Sequence, residues 1–356
     1  MKIGIVIASL GFGGAEKVTI SLTEYFISQG HDCIIYTTIR KKDEYTLPEN
    51  VRRVNVTDGK SNSYFNRVSC IKNAVKRDMP DVIIVMGMPV TTYAIPACKG
   101  LNIPIISCER NDPYNFNGKL ITKIFYEHFI KDSDAFIFQT EYAKGYYEDK
   151  IKEKSYTIIP NPINTKYVFE RNYSEIKNTI ANVGRLIPQK NQKMLIEAFS
   201  LFLKEYPDYT LEIFGSGSLL DELTDLTNSL GLSDKVFFMG TCEDVNRRIQ
   251  NDSMFVLSSN FEGMPNALME AMACSVPSIS TDCPVGGPKE IITDGENGLL
   301  VEVNNAVKMA EAMKYYASDI DRANSIGEKG KQATERFSID VIGKRWLSFI
   351  DSILNK

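Results

Sequence analysis

Two carboxylates flank a predicted helix start in the C-terminal half of the chain. Glu262 lies in a loop before Pro265, and Glu270 follows about one and a half turns into the helix that Pro265 would open. Residues 267–272 are good helix formers, and the apolar run 254–257 is typical of a short buried strand. The segment therefore predicts a strand, a loop and a helix, with an acidic side chain on either side of the helix start.

The start of that helix is also a predicted anion site. Amides in the first turn of a helix lack partners within the helix, and the helix dipole adds positive potential there. A phosphate would fit the amides of Asn266, Ala267 and Leu268. The alternative is an ordinary strand-to-helix turn, with one Glu on the surface and the other capping a neighbouring loop.

Two cations occur in an earlier loop of the same half. The predicted strand 179–183 runs into Gly184 and Arg185, and Lys190 follows before a predicted helix at 193–203. Arg offers bidentate hydrogen bonds and Lys a mobile point charge, which together suit a diphosphate. Either cation alone would be interpreted as a surface charge, but the flanking strand and helix favour a phosphate site.

The string E-G-M-P-N-A-L-M-E-A-M-A, from Glu262 to Ala273, resembles the E-x7-E signature of the retaining glycosyltransferase family 4. Val276-Pro277 and the run 287–292 extend the resemblance, which covers nearly the whole chain. It implies an α/β fold of the GT-B type. In that architecture two Rossmann-like parallel-sheet domains face each other across a cleft, and a C-terminal helix crosses back to the first domain.

The predicted elements agree with this architecture. Strand-like runs at 3–8, 33–38, 81–86 and 103–108 alternate with helical segments, as in a doubly wound parallel sheet that binds ligands at the carboxyl ends of its strands. By the resemblance, we expect an acceptor-binding domain at residues 1–165, a nucleotide-sugar-binding domain at 178–337 and the returning helix at 338–356. The turn-rich, charged segment 161–177 is interpreted as the linker.

Glycine-rich loops follow several predicted strands. Gly11 and Gly13 match the start of the G-x-G-x-x-G dinucleotide fingerprint, which fails at Glu16. The resemblance implies instead that Gly13 and Gly14 lie near the donor sugar and the acceptor, although a tight turn into a helix is the alternative. It also places further residues at the nucleotide: Gly184, Gly215, Gly217 and Met239, with Cys242 as a second base contact.

The chain departs from the resembled family after the strand that ends at Cys108. Many members carry a His there, whereas this chain has Glu109, Arg110 and Asn111. We hypothesise that Arg110 contacts a phosphate or sugar of the donor or the acceptor. A structural salt bridge is the alternative.

The resemblance implies retaining transfer of a hexose or N-acetylhexosamine from a UDP-sugar to a lipid-linked or growing surface glycan of the polysaccharide, O-antigen or capsule type. Arg185 and Lys190 would stabilise the leaving diphosphate, Glu270 would hold the ribose hydroxyls, and Glu262 would contact the donor sugar. The catalytic candidates are Arg110, Arg185, Lys190 and Glu262. No protein nucleophile is evident, so we favour front-face substitution, with double displacement by Glu262 as the rival.

Two other functions are compatible with the same architecture. A sugar-nucleotide epimerase would need its own acid–base pair, and hydrolysis without an acceptor would distinguish it. A non-catalytic binding module is the third alternative. The intact pair of glutamates and the two cations argue against a decayed site.

Composition sets the remaining expectations. A chain of 356 residues fits two domains, and 43% hydrophobic with 24% charged residues is typical of a globular protein. The net charge of −4 is uneven, because residues 1–170 carry 22 Lys and Arg against 19 Asp and Glu, and residues 171–356 carry 19 against 26. The positive bias of the first half is too small to favour nucleic acid but suits an anionic membrane surface, unless it is ordinary surface variation.

We expect a cytoplasmic protein with peripheral contact at the inner face of the cell membrane. The seven cysteines form no C-x-x-C pair, and Lys2 leads directly into a strand-like run rather than a signal peptide. No apolar run approaches the ~18–20 residues of a spanning helix. Residues 116–131 would suit an amphipathic helix at the lipid interface, although we favour a core-packed helix with a solvated lysine face.

No metal ion or other cofactor is expected besides the donor substrate. The D-x-D patterns at 132–134 and 319–321 lie at element starts and not after a buried strand of the second domain. The two histidines, His31 and His128, do not form a ligand pair.

Overall fold

The computed structural model describes residues 1–42, 44–58, 63–110, 112–114, 120–151 and 153–356. The chain divides into two compact units. Unit 1 contains residues 1–162 and 339–356, and unit 2 contains residues 163–338. Each unit has its own parallel sheet, which confirms the predicted α/β class.

Unit 1 is built on a seven-stranded parallel sheet in the order β3-β2-β1-β4-β5-β6-β7. Its strands are β1 (Lys2–Ile7), β2 (Asp32–Thr37), β3 (Arg52–Asn55), β4 (Val82–Met86), β5 (Ile105–Cys108), β6 (Ala135–Phe138) and β7 (Ser155–Ile158). The helices between them are α1 (Gly14–Ser28), α2 (Tyr64–Asp78), α3 (Met88–Cys98), α4 (Leu120–Phe129) and α5 (Glu141–Tyr147). Because all strands are parallel, their carboxyl ends meet at one edge of the sheet.

Both faces of this sheet are buried, as the unbroken apolar strands predict. Alternate residues of β1 enter different cores: Ile3, Ile5 and Ile7 pack on one face, and Val6 packs on the other with the helices α2 and α3. The last helix of the chain, α13 (Ile339–Leu354), joins the first of these cores through the buried Trp346. The returning helix therefore packs on unit 1, against α1.

Unit 2 is built on a six-stranded parallel sheet in the order β10-β9-β8-β11-β12-β13. Its strands are β8 (Lys177–Val183), β9 (Thr210–Phe214), β10 (Val236–Gly240), β11 (Asp252–Leu257), β12 (Ser278–Thr281) and β13 (Leu299–Val301). Its helices are α6 (Gln192–Phe202), α7 (Leu220–Ser229), α8 (Val245–Ile249), α9 (Asn266–Ala273), α10 (Gly287–Ile291), α11 (Ala306–Ala317) and α12 (Ile320–Thr334). The central strands β8 and β11 place the two predicted site loops side by side.

The segment interpreted as a linker is largely part of unit 2. Ile163 is buried in a core of that unit. The buried Arg171 donates from Nη1 to the carbonyl oxygens of Gln250 and Asp252 at 2.9 and 2.7 Å. Residues 163–176, which we name the strap, are therefore packed on unit 2 and hydrogen-bonded to the start of β11, and do not form a separate linker.

Two sequence expectations fall partly outside the described residues. Asn111, which follows Arg110, is one. The proposed interfacial segment 116–131 is the other: its described part begins at Leu120, where α4 starts. Within the described residues, no helix combines the length and the apolarity needed to cross a membrane.

Candidate active site

Glu262 is held in a small polar cluster after β11. Its side chain is only 6% exposed, and Oε1 receives an ion pair from Lys190 Nζ and a hydrogen bond from Ser259 Oγ at 2.6 Å. The Ser259 carbonyl in turn accepts from the hydroxyl of Thr281 at 2.6 Å. One carboxylate oxygen of Glu262 is therefore both ion-paired with a lysine and hydrogen-bonded by a serine hydroxyl.

The loop of Lys190 is docked directly on the loop of Glu262. The amide of Asn260 donates to the carbonyl of Gln189 at 2.8 Å, and Gln189 Nε2 donates to the carbonyl of Phe261 at 3.0 Å. These reciprocal hydrogen bonds fix the two loops together independently of the Lys190–Glu262 pair. The structure thus brings Lys190 and Glu262 together.

Arg185 lies at the other end of the same loop. Its side chain is exposed, and within the described part of the chain no hydrogen bond or ion pair holds its guanidinium. Its carbonyl accepts from Gln192 Nε2 at 3.1 Å, so the backbone is fixed while the charge stays in solvent. Arg185 is available to an anion, whereas Lys190 is already paired.

The helix α9 begins one residue later than predicted. Pro265 is its N-cap, in an extended conformation, and the first intrahelical hydrogen bond runs from Met269 N to Pro265 O at 3.2 Å. The predicted amides still form the first turn: Asn266, Ala267 and Leu268.

Glu270 lies inside α9 and is 8% exposed. Its Oε2 accepts from Asn246 Nδ2 at 3.2 Å, and the same amide nitrogen donates to the carbonyl of Tyr167 at 3.0 Å. Asn246 therefore orients Glu270 from α8, while Ser259 and Lys190 orient Glu262. Glu262, in the loop before α9, and Glu270, within α9, are therefore held by different hydrogen-bond partners.

The glycines of the predicted nucleotide loops permit close backbone contact. A Cβ at Gly215, where φ is +139°, would overlap the carbonyl of Gly184, and a Cβ at Gly217 would overlap that of Leu186. The loops are joined by hydrogen bonds from Gly184 N to Phe214 O at 2.9 Å and from Leu186 N to Ser216 O at 2.9 Å. Any side chain at Gly215 or Gly217 would separate the ends of β8 and β9.

Met239 lies at the end of β10, next to these loops. Its side chain is partly buried against the core that contains α9. Cys242 packs partly against the same core. The strand β10 therefore brings both predicted base contacts to the carboxyl edge of the unit 2 sheet.

In unit 1, Gly13 is the N-cap of α1 and is extended, at φ −161°. Any residue can adopt that φ, so backbone strain does not require glycine here. A Cβ at Gly13 would instead overlap the carboxylate of Glu16, which lies in the first turn of α1 beside Gly14. A carboxylate therefore lies at the start of α1, where a dinucleotide-binding loop would place a phosphate.

Arg110 lies in a buried network in unit 1. Its Nη1 donates to Asn161 Oδ1 at 2.8 Å, and its guanidinium carbon lies 5.4 Å from the ring centroid of Trp346. Gln139 Nε2 donates to the same Asn161 oxygen at 2.6 Å. Burial lowers the pKa of the guanidinium, which still remains charged. An amide and an indole therefore hold Arg110, and the salt bridge given as the alternative is not among the contacts of the described residues.

Glu109, next to it, is also buried. Its Oε2 accepts from the hydroxyls of Tyr147 at 2.5 Å and Tyr126 at 3.3 Å, and its Oε1 accepts from the Arg110 amide at 2.9 Å. Burial, followed by the nearby Glu109 charge, raises the pKa of both tyrosines well above the usual value. Both hydroxyls therefore stay protonated as donors.

Several residues of these clusters were not candidates in the sequence. Ser259 and Asn246 orient the two glutamates, and Asn161 and Trp346 hold Arg110. Only Ser259 had a usable signal, a polar residue directly after an apolar strand and three residues before Glu262. Across the described part of the chain, no group of three or more His, Cys, Asp or Glu side chains is placed to hold a metal ion.

Comparison with known proteins identifies both units. Residues 12–167 match the domain described as Glycosyltransferase Family 4, and residues 164–333 match the domain described as Glycosyl transferases group 1. An uncharacterized glycosyltransferase of Haemophilus influenzae is 27% identical, over 97% of this chain and 98% of the relative. An alpha-1,4-N-acetyl-D-galactosaminyltransferase of Campylobacter jejuni, named for a diNAcBac-PP-undecaprenol-linked glycan, is 27% identical over 100% of this chain and 99% of the relative.

Among solved structures, Anabaena Alr3699/HepE in complex with UDP superposes with a TM-score of 0.82 at 17% identity, over 99% of this chain and 100% of that chain. The chain belongs to the glycosyltransferases, with a family 4 domain followed by a group 1 domain. Its two Rossmann-like units form the GT-B fold. The family and the fold implied by the sequence are confirmed.

Proposed function

We propose that the protein is a retaining, metal-independent hexosyltransferase. It moves a hexose or N-acetylhexosamine from a UDP-sugar to a lipid-linked or growing surface glycan. The name of the Campylobacter jejuni relative supports the sugar and the lipid-linked acceptor, and the Anabaena structure with UDP supports the donor nucleotide. Under this proposal unit 1 binds the acceptor and unit 2 binds the donor.

The docked loops of unit 2 carry the proposal. They hold one paired cation, Lys190, one unpaired cation, Arg185, and the first turn of α9 beside the buried Glu262. Two cations and helix amides would neutralise a diphosphate without a metal ion. Glu270 would accept hydrogen bonds from the ribose, and the packed glycine loops Gly184, Gly215 and Gly217, with Met239, would lie against the nucleotide.

Diphosphate binding would also change the partner of Lys190. In the structure, Lys190 neutralises Glu262. A diphosphate carries more negative charge than one carboxylate, so it would draw Lys190 away and leave Glu262 to the donor sugar. Glu262 would then keep its hydrogen bond from Ser259.

Front-face substitution fits this site better than double displacement. The bond between the anomeric carbon and the diphosphate oxygen breaks while the acceptor oxygen bonds to that carbon on the same face. The departing phosphate oxygen takes the acceptor proton. A nucleophilic role for Glu262 is disfavoured because the hydroxyl of Ser259 donates to its Oε1 and stabilises the negative charge there.

In unit 1, we propose that Arg110 contacts a phosphate or sugar, and that Gly13 and Gly14 line the donor-sugar and acceptor region. The buried Nε of Arg110 has no hydrogen-bond partner among the described residues. The partly buried guanidinium is held by an amide and an indole, neither of which neutralises its charge, so the charge would be available to an anionic group. That geometry supports a ligand role more than a structural one.

A second surface supports peripheral contact with the inner face of the cell membrane. Five apolar side chains protrude from α2 and α4, and Tyr64 stacks on Phe125 across the two helices at 6.3 Å. Phe65 is 81% exposed and Leu120 is 72% exposed. We name this the apolar surface, formed by Tyr64, Phe65, Leu120, Ile124 and Phe125. Cations lie on the same helices, which suits anionic head groups: Arg67, Lys72, Lys76, Arg77 and Lys123.

The proposed reaction is tested by a thermal-shift screen with UDP, UDP-sugars, ADP and GDP. A ligand at 100 times its Kd adds ~2.7 kcal/mol of stability, which gives a clear shift. We expect UDP and at least one UDP-sugar to shift the unfolding temperature, without dependence on EDTA. No shift with any nucleoside diphosphate would refute the transferase.

Product analysis then separates the three functions. A retaining transferase gives a product whose anomeric proton matches the donor configuration in the NMR spectrum. An epimerase would change the donor without an acceptor, and a binding module would bind UDP without turnover. Inversion at the anomeric carbon would refute the retaining assignment.

A further inference from the structure

Three tyrosines meet at the carboxyl edge of the unit 1 sheet. Tyr114 follows β5, and Tyr142 and Tyr146 lie on α5, which follows the neighbouring strand β6. The ring centroids of Tyr114 and Tyr142 are 4.8 Å apart, and those of Tyr114 and Tyr146 are 4.9 Å apart. We name these three residues the tyrosine platform.

The outer two rings of the platform face solvent. Tyr114 is 49% exposed and Tyr142 is 44% exposed, although both make ring contacts. Large side chains that pack on one another at a surface leave apolar ring area in water, which a ligand could cover. The platform lies at the sheet edge where open α/β sheets bind ligands.

The base of the platform is fixed before any ligand arrives. Tyr146 donates its hydroxyl to Glu127 Oε1 at 2.8 Å, and Lys150 pairs with the same carboxylate at 2.8 Å. Lys150 Nζ also lies 4.0 Å from the Tyr146 ring centroid. The backbone of Tyr114 is held by a hydrogen bond from its amide to Asp112 Oδ1 at 2.9 Å. A prearranged surface loses little conformational entropy on binding.

The chemistry of the platform suits a neutral sugar ring. Tyrosine combines a flat apolar face with a hydroxyl, which matches a pyranose that carries C–H groups on one face and hydroxyls at its rim. The exposed Glu141 lies next to Tyr142 in the chain, and the nearby Lys150 is already paired. The Glu141 carboxylate would repel a phosphate, whereas a sugar hydroxyl could donate to it.

The geometry points to the tyrosine platform as a binding site for a hexose or N-acetylhexosamine ring of the acceptor glycan, with Tyr114 and Tyr142 stacking on the sugar. This inference rests on the proposed transferase function and names residues for its acceptor side. The acceptor's phosphate and lipid portions are not bound here. Tyr146 is a positioning residue, because it supports Tyr114 from below.

Saturation-transfer NMR with the full chain tests the site. The probes are the methyl glycosides of glucose, galactose, N-acetylglucosamine and N-acetylgalactosamine. With the wild type, we expect saturation to pass from the protein to the ring protons of at least one probe. Tyr114→Leu and Tyr142→Leu should each lower it about fivefold, in line with the ~0.5–1.5 kcal/mol of an aromatic contact. Tyr142→Phe should retain it, and so should Tyr156→Leu, which alters a similarly exposed tyrosine on β7.

The same samples are measured for the UDP-induced shift in unfolding temperature, so that the two proposals fail separately. If UDP binds normally but Tyr114→Leu and Tyr142→Leu leave the NMR saturation transfer to the glycoside probes unchanged, the platform is refuted and the transferase stands. If that NMR signal depends on the platform but UDP does not bind, the transferase is refuted. The platform would also be overturned if the wild type gave no saturation transfer to any probe. The same conclusion would follow if the platform variants lost only their binding to vesicles.

Discussion

At the residue scale, the charge state of the site is set by which side chains pair before a substrate binds. The sequence indicated Arg185 and Lys190 together as the ligands of a diphosphate. In the structure, Lys190 pairs with Glu262, while Arg185 remains in solvent. Spacing along the chain identified the three residues, but it could not reveal the pairing, because that depends on how two loops 72 residues apart dock.

Arg185→Ala tests the proposed role of the unpaired cation. Because Arg185 makes no side-chain contact that the folded state needs, the variant should keep its unfolding temperature. We expect a UDP Kd about tenfold higher, since hydrogen bonds to charged groups are worth about 1.5–3 kcal/mol. Titration calorimetry with UDP measures this.

Two further variants make that measurement specific. Lys193→Ala removes an exposed cation on α6, three residues beyond Lys190, and should leave the Kd unchanged. Arg185→Lys should recover only part of the affinity, because Lys cannot bind two phosphate oxygens in the bidentate manner of Arg. An unchanged Kd for Arg185→Ala would remove Arg185 from the site.

At the element scale, the predicted strands of both sheets were found because parallel strands buried on both faces are continuous apolar runs. The helix α3 was missed. It contains Pro89 and Pro96, and the hydroxyls of Thr91 and Thr92 bond back to backbone carbonyls within its first turns. Such a sequence has low intrinsic helix propensity, so packing against α2, α4 and the sheet, and not local preference, maintains this helix.

The strap of residues 163–176 was interpreted as a linker because charges and turn residues dominate it. Its anchor is a long-range contact, from Arg171 to the carbonyls at the start of β11. Sequence patterns carry no signal for a side chain that bonds to a backbone about 80 residues away. The register of β8 and β11 shifts at the same place, between Asp252 and Met254.

Asp252, at this anchored strand start, predicts a pH dependence of stability. Burial raises its pKa to about 7, an effect that Lys177, Arg171 and Arg248 oppose and Glu212 reinforces. The folded state therefore binds more protons than the unfolded chain between about pH 4 and pH 7, so this contribution to stability is present at low pH and lost as the pH rises through 7.

Asp252→Asn removes that titration. The quantity of interest is the unfolding free energy of the variant minus that of the wild type. We expect this difference to be about 2 kcal/mol larger at pH 8 than at pH 5. Any constant packing cost of the amide cancels in this comparison. Urea denaturation at both pH values measures it, and Asp208→Asn, on the surface of unit 2, should show no such difference. Equal differences at the two pH values would place the Asp252 pKa near its usual value.

At the scale of the whole molecule, the two units have separate cores and different charge. Unit 1 carries 24 Lys and Arg against 20 Asp and Glu, and unit 2 carries 17 against 25. The exposed apolar surface lies in unit 1, on helices whose acids, Asp78 and Glu127, are both ion-paired. Composition predicted the charge bias. The contribution of α2 could not be predicted, because its Tyr64 and Phe65 join α4 only through the tertiary fold.

This arrangement predicts that unit 1 brings the chain to anionic bilayers. The intact protein should cosediment with vesicles of phosphatidylglycerol and phosphatidylcholine more than with phosphatidylcholine alone, and added salt should weaken binding. Joint replacement Phe65→Ser and Leu120→Ser should lower the partition coefficient at least about tenfold, since burying each apolar side chain fully is worth about 1.5–3 kcal/mol. Val307→Ser, which alters an exposed apolar residue of the acidic unit 2, is the matched control. Equal partitioning of all three proteins would show that the apolar surface does not face lipid.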